Sequence, residues 1–324
     1  MSPDNPTHIG RWRLIHTPRR VHESFEAGHR PEPRIFHDAI FWLFIILCAL
    51  ASAMAIPHFL MTAPTLTAVP SLAILMAAVM VVGYIAAMWL VIGHLRIYSG
   101  TPARLTFLAI WWGGSVVVVF SPLTAGETAS ELALKLGWDQ LEASFGGAWA
   151  EEILKALGVW MLLWLGRSWW NRPWHGLVAG TFVGLGMEVI ENAFYALDYA
   201  VYNPVSDVQG VIDVFLMRCT FGAGIHIVCT GLVGFGIGQA LFAGTRRGVG
   251  WRLAQVFGWG AFAFAVHFLW NADWPAESAT LIGMCVWGGG LTVYIALLVR
   301  WHLGLRSAFE ADREPAVTIY QRVR

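Results

Sequence analysis

Four stretches of this sequence carry ionisable side chains at spacings that chemistry can use. They are Glu151, Glu152 and Lys155 in WAEEILKALG; Glu188, Glu191 and Asn192 in GLGMEVIENAFYA; Arg218 and His226 in RCTFGAGIHIVCTG; and His267 and Asn271 in HFLWNAD. Glu151 and Lys155, Glu188 and Asn192, and His267 and Asn271 are each four residues apart, so each pair shares one helix face. Two imidazoles and several carboxylates suffice to hold a divalent ion of the zinc type and activate water for attack on a carbonyl. They also suffice without an ion, a glutamate taking the proton of water while His and Asn donors hold the oxyanion. The residues leave both routes open. An HExxH zinc signature, a GxSxG elbow and a phosphate-binding loop are all absent, and glycines such as Gly180, Gly184, Gly222 and Gly234 read as close helix packing.

The elements that must position these groups are membrane helices. Of the 324 residues 57% are hydrophobic and only 13% charged, about half the usual charged fraction, which excludes an ordinary soluble enzyme. A formal net charge of zero gives no signal for nucleic acid, and the four cysteines lack CxxC spacing and read as packing residues. Apolar runs long enough to cross a bilayer fall near 40–59, 71–95, 105–120, 149–165, 176–197, 211–242, 253–271 and 280–302. The fold class expected is therefore all-α, a polytopic membrane bundle of about eight helices over 38–303, with polar tails at 1–37 and 304–324. Arginines alternate between connections: six before the first run, then Arg96 and Arg104, Arg167 and Arg172, and Arg246, Arg247 and Arg252 on alternate turns of the chain. By the positive-inside rule both termini are cytoplasmic. Tryptophans at the run ends, among them Trp149, Trp170, Trp174, Trp274 and Trp301, suit interfacial anchoring. The connection 121–148 is expected to hold a surface helix with Leu134, Trp138, Leu141 and Phe145 on one face and Glu131 paired with Lys135.

A charge inside a span is costly, so intramembrane ionisable residues mark a functional site by default. The orientation puts Glu151, Glu152, Glu191 and His267 within one or two turns of the outer surface, and His226 deeper, roughly 20 Å along a single long sixth helix. Each group has a plainer reading: an interfacial ion pair for Glu151 and Lys155, a structural hydrogen bond for Glu188, a helix cap for Asn271. Arg218 is expected to snorkel outward or pair with Asp213 or Glu188. Four consecutive spans carrying such groups at similar depth are better explained by one site.

At these residues the sequence resembles the PrsW family of membrane proteases, related to the CAAX-type prenyl endopeptidases. EEILK at 151–155 matches that family's EExxK; Met187 to Glu191 is similar to its FxxxE, with Met for Phe; His226 followed by Thr230 is similar to the third motif; His267 to Asn271 resembles HxxxD, with Asn for Asp. The resemblance covers 149–271, the expected catalytic core. It implies hydrolysis of a peptide bond in or beside the bilayer of a bacterial cytoplasmic membrane, on a membrane-anchored substrate such as an anti-sigma factor, cut on its extracytoplasmic side. The working mechanism has Glu151 or Glu152 as general base, assisted by Glu191 and His226, with Lys155 orienting the Glu pair and His267 and Asn271 binding a metal or polarising the scissile carbonyl. A divalent ion, zinc by expectation, would fall to Glu191, His226 and His267; no organic cofactor is implied. The rival readings are a non-catalytic scaffold of the same fold and a proton-coupled transporter. A transporter calls for groups in both membrane halves or broken helices near the midplane, and the apolar runs show no paired interruption.

Overall fold

A computed structural model describes residues 8–9, 12–16, 35–62, 68–98, 101–167, 169–243, 247–304 and 318–322. Among the described residues nine helices follow in order: α1 Ala39–Thr62, α2 Ser71–Gly93, α3 Ala103–Lys135, α4 Trp149–Leu165, α5 Pro173–Ala200, α6 Asp207–Thr220, α7 Ile225–Phe242, α8 Val249–Asn271 and α9 Ala276–Gly304. The protein is thus an all-α polytopic bundle. Three short strands outside it, β1 His8–Ile9, β2 Trp12–His16 and β3 Thr318–Arg322, pair antiparallel in that order. The tails expected at 1–37 and 304–324 lie largely outside the described residues.

Seven of the helices are long and apolar enough to cross a membrane; α4, with 17 residues and three charges, and α6, with 14, fall short. Their starts are written in the sequence. Extended Pro70 and Pro102 precede α2 and α3. Pro173 opens α5, and His175 Nδ1 accepts the Asn171 and Arg172 amides at 2.9 and 3.2 Å. Ser206 caps α6 by accepting the Gln209 amide, as a serine N-cap should.

Helices α5 and α7 form the centre: both are buried along most of their length, whereas few residues of α1, α2, α8 and α9 are fully buried. Apolar side chains such as Leu43, Ile46, Leu50, Leu75 and Val82 cover the outer surface. No hydrophobic force separates such chains from lipid, so the central pair is held by close backbone approach. A Cβ built on Gly180 would overlap the Thr230 carbonyl oxygen, and one on Gly184 the His226 carbonyl oxygen. Around this pair, Phe44 of α1 stacks on Trp112 of α3 at 5.0 Å, and the Trp112 indole donates to the Leu154 carbonyl of α4.

Three expectations need correction. The run 211–242 is two helices, not one: the chain breaks at Phe221–Gly224, where Gly222 and Gly224 take φ of 77° and 73°. The apolar runs are therefore not free of interruption. Residues 127–135 are helical but continue α3, which passes through π-helical turns at Gly113–Val117 and Pro122–Gly126, and Trp138, Leu141 and Phe145 lie beyond the end of that helix rather than on one face of it. Beyond it, Phe145 packs between Trp138 and Phe268, tying this connection to α8, while the expected Glu131 and Lys135 pair forms at 3.1 Å. Finally, Trp170 and Trp174 are buried inside the bundle rather than anchored at its rim; Trp174 packs on Trp301 at 4.9 Å.

Candidate active site

The expected site residues converge at one end of the bundle, away from the connections that carry Arg167, Arg172, Arg247 and Arg252. Glu151, Glu152 and Lys155 occupy the first turns of α4 and are all buried. The Lys155 ammonium touches Glu151 Oε2 at 3.2 Å, Glu152 Oε1 at 2.9 Å and His226 Nδ1 at 2.9 Å. Because an ammonium only donates, His226 Nδ1 accepts. Its Nε2 hydrogen then goes to Glu191 Oε2 at 2.7 Å. His267, on α8, gives its Nδ1 hydrogen to Glu152 Oε1 at 2.8 Å. This leaves the lone pair of His267 Nε2 facing the Asn271 amide at 3.3 Å and Glu151 Oε2 at 3.7 Å. The two imidazoles meet edge to face, 5.0 Å apart.

His226 stands where it does because of the break before α7. Opening at Gly224 puts His226 in the first turn, level with Glu188 and Glu191, instead of deep in a long helix. Glu188 secures that start: its carboxylate accepts the Gly224 amide at 3.3 Å and the His226 amide at 3.2 Å. An anion at a helix N-terminus satisfies orphan amides and faces the positive end of the dipole. The plainer, structural reading of Glu188 is thus the one its contacts bear out.

Arg218, on α6, neither snorkels outward nor meets Asp213 or Glu188. It donates to Glu191 at 2.8 Å and Asn192 at 2.6 Å, with its guanidinium 4.3 Å over the Tyr195 ring. Asp213 pairs instead with Asn203 and Gln209. A polar cavity of about 350 Å³ is lined by Glu151, Glu191, Arg218, His226, Trp270 and Asn271, with Gly146 and Gly147 in its wall. Glu152 is not among its lining residues. A Cβ on Gly147 would come within 2.9 Å of the Asn271 amide nitrogen and 3.3 Å of Glu151 Oε1, so glycine there keeps the cavity open.

A family model described as PrsW family intramembrane metalloprotease matches residues 101–301, more than half of the chain. The chain belongs to the PrsW family. No curated protein and no solved structure matches it. As a PrsW-family protein it is a peptidase of the membrane, and its substrate is a membrane protein.

The family's description implies a metal, and the donor types fit one once His226 Nδ1 exchanges the Lys155 ammonium for it, its Nε2 keeping the hydrogen given to Glu191. Glu151, His226 and His267 each offer an atom within 4.8 Å of the others, and two imidazoles with a carboxylate are a donor set of catalytic zinc. The outer oxygen Oε2 of Glu152 is buried without a hydrogen-bond partner. Glu191, expected as a ligand, engages the other ring nitrogen of His226 and is itself held by Arg218; the convergent carboxylate is that of Glu151. Sequence reasoning gave Tyr195, Trp270 and Gly147 no part in the site, and singled out Arg218 without the partners it has here. For Arg218 the usable signal was an arginine three residues before a double-glycine break.

Proposed function

We propose that the protein hydrolyses a peptide bond of a membrane-anchored substrate at the extracytoplasmic end of the bundle, with Glu151 as the general base. The observation that carries this reading is that Glu151, alone of the acidic pair, lines the polar cavity, together with Asn271 and His226. Water held in the cavity adds its oxygen to the scissile carbonyl carbon as Glu151 takes its proton. The carbonyl oxygen, gaining charge, receives the Asn271 amide hydrogens. The tetrahedral carbon then expels the amine, which leaves with the proton that Glu151 returns. Glu152 positions His267, Glu191 positions His226, and Lys155 compensates the paired carboxylates. With a divalent ion bound, zinc by their donor types, Glu151, His226 and His267 would hold it; it would supply Lewis-acid polarisation of water or carbonyl, and Glu151 would then act as its ligand in place of the base.

The finer assignments follow from the same observations. Arginine-bearing connections lie at the other end of the bundle, supporting an outward-facing site, eight crossings with α6 and α7 as one, and cytoplasmic termini. Pairing of β2 with β3 agrees with termini on one side. The membrane is a bacterial cytoplasmic membrane, the substrate an anchored regulator of the anti-sigma-factor kind, and the CAAX-type proteases are distant relatives. All three rest on the motif resemblance.

The test is cleavage of an anchored reporter by purified protein in liposomes. Wild type and Glu131→Gln should cut it, and folded Glu151→Gln should lose at least about 100-fold in rate. Full activity of Glu151→Gln refutes the proposal. Elemental analysis of the purified protein, with and without His267→Ala, reports the metal independently of turnover.

A further inference from the structure

A second cavity, of about 250 Å³, adjoins the polar one and shares Gly146, Glu151, Glu191 and Tyr195 with it. Its remaining walls are mostly apolar, including Phe59 from α1, Val118 and Pro122 from α3, and Met187 and Phe194 from α5. Phe59 and Phe194 face each other with centroids 5.0 Å apart. The mechanism above uses none of these five side chains. Two π-helical turns border the space: Pro122–Gly126, which contributes Pro122, and Ser144–Ala148, which contributes Gly146. Such turns are rare and recur at functional sites.

We infer that this cavity is a specificity pocket that takes a large apolar side chain, leucine or phenylalanine in kind, from a residue immediately flanking the scissile bond. The inference rests on the hydrolytic reading above. Glu151 stands in the wall of both cavities, so a carbonyl attacked beside it has the apolar space as its immediate neighbour. An extended peptide advances about 3.3 Å per residue and sends successive side chains to opposite faces. One flanking side chain therefore enters the apolar cavity while its neighbour on the other side of the bond points away. Size agrees: a dry cavity of about 150 Å³ already admits a benzene ring. Beside the catalytic groups it shares, two further polar side chains, His58 and Ser121, line it; the rest of its wall selects by volume and apolarity.

The experiment uses the full chain in liposomes and anchored reporters with Ala, Leu, Phe or Trp at each position flanking the cut bond. Wild type is expected to favour Leu or Phe over Ala at one position by about tenfold or more in kcat/KM. Val118→Phe, which fills the pocket, should move the Phe-to-Ala ratio at that position toward Ala by at least about tenfold, and Phe194→Ala, which enlarges it, should move the Trp-to-Leu ratio toward Trp. Thermal unfolding of both variants identifies any that fail to fold. Absence of a preference at either position, or equal changes on every reporter in both variants, overturns the inference and leaves hydrolysis standing. If wild type cuts nothing, affinities of the uncut reporters decide. Preference for Leu and Phe that Val118→Phe erases keeps the pocket and refutes hydrolysis. A co-purified lipid lost in Val118→Phe, with reporter ratios unmoved, makes the cavity an acyl-chain site and overturns the inference.

Discussion

Gly184→Ala is a one-carbon change on α5 that should disable a histidine whose ring it does not touch. The added Cβ would sit 2.7 Å from both the carbonyl carbon of His226 and the Cα of Ile227, where ordinary contact begins at 3.4 Å. Both neighbours are backbone, so no side chain can swing aside, and the start of α7 must retreat from α5 by at least about 0.7 Å. Glu191 and Glu188 ride on α5, so the same displacement stretches the bonds they make to His226. The Nε2 to Oε2 contact, now 2.7 Å, passes the roughly 3.2 Å limit of a good N–H···O bond. Losing a hydrogen bond to a charged group costs about 1.5–3 kcal/mol, which at about 1.36 kcal/mol per decade of rate is roughly a 10- to 150-fold fall. Initial rates on an anchored reporter measure it, with thermal unfolding followed on the same samples. Gly289→Ala on α9, where a Cβ meets nothing within 4 Å, should leave the rate unchanged. A folded Gly184→Ala protein with the wild-type rate refutes the argument that backbone contact sets the position of His226.

Lys155→Met removes an ammonium that faces two carboxylates and a ring nitrogen, leaving buried charges uncompensated; a loss of about 3–5 kcal/mol is expected, read as lowered thermal stability in detergent. Glu188→Ala strips the cap from α7 and should cost about 2 kcal/mol, whereas Glu188→Gln keeps an accepting oxygen. Faster amide exchange at Gly224 and His226 in the alanine variant alone distinguishes the two. Asn271→Asp supplies the acid found at this place in the related motif but removes the amide hydrogens. A fall of about 100- to 1,000-fold in kcat, close to that of Asn271→Ala, is expected if those hydrogens hold the oxyanion, and retained activity of the aspartate variant contradicts that role.

Much of the site was legible because its contacts are local. The spacings of Glu151 with Lys155 and His267 with Asn271 put each pair on one face, and both pairs meet as helix geometry requires. The cost of charge in lipid argued for one shared cavity, and α4 to α8 all contribute to its lining. What was missed depends on breaks and on distant partners. An apolar run over 211–242 hides its interruption because hydropathy does not register backbone conformation; Gly222 and Gly224, flanking one alanine, were the signal. Placing His226 deep in a continuous helix followed from that error. Arg218 chose Glu191 and Asn192, more than 25 residues away on α5, over Asp213 on its own helix, a choice that only the packing of α6 against α5 decides. The buried Trp170 and Trp174 were misread for a similar reason, since position at a run end does not say which way a ring turns.

The central α5 and α7 pair is joined backbone to backbone, and α8 meets α7 in the same way: a Cβ on Gly236 would come within 2.6 Å of the Gln255 carbonyl oxygen, and Phe235 lies edge to face with Trp259. Glu191, His226 and His267 therefore ride on three helices locked side by side, with Glu152 tying His267 to α4. Such a set is assembled before any substrate arrives, so its donors need little reorganisation when charge develops. The substrate segment has to bring its bond to the groups, rather than draw the groups to the bond.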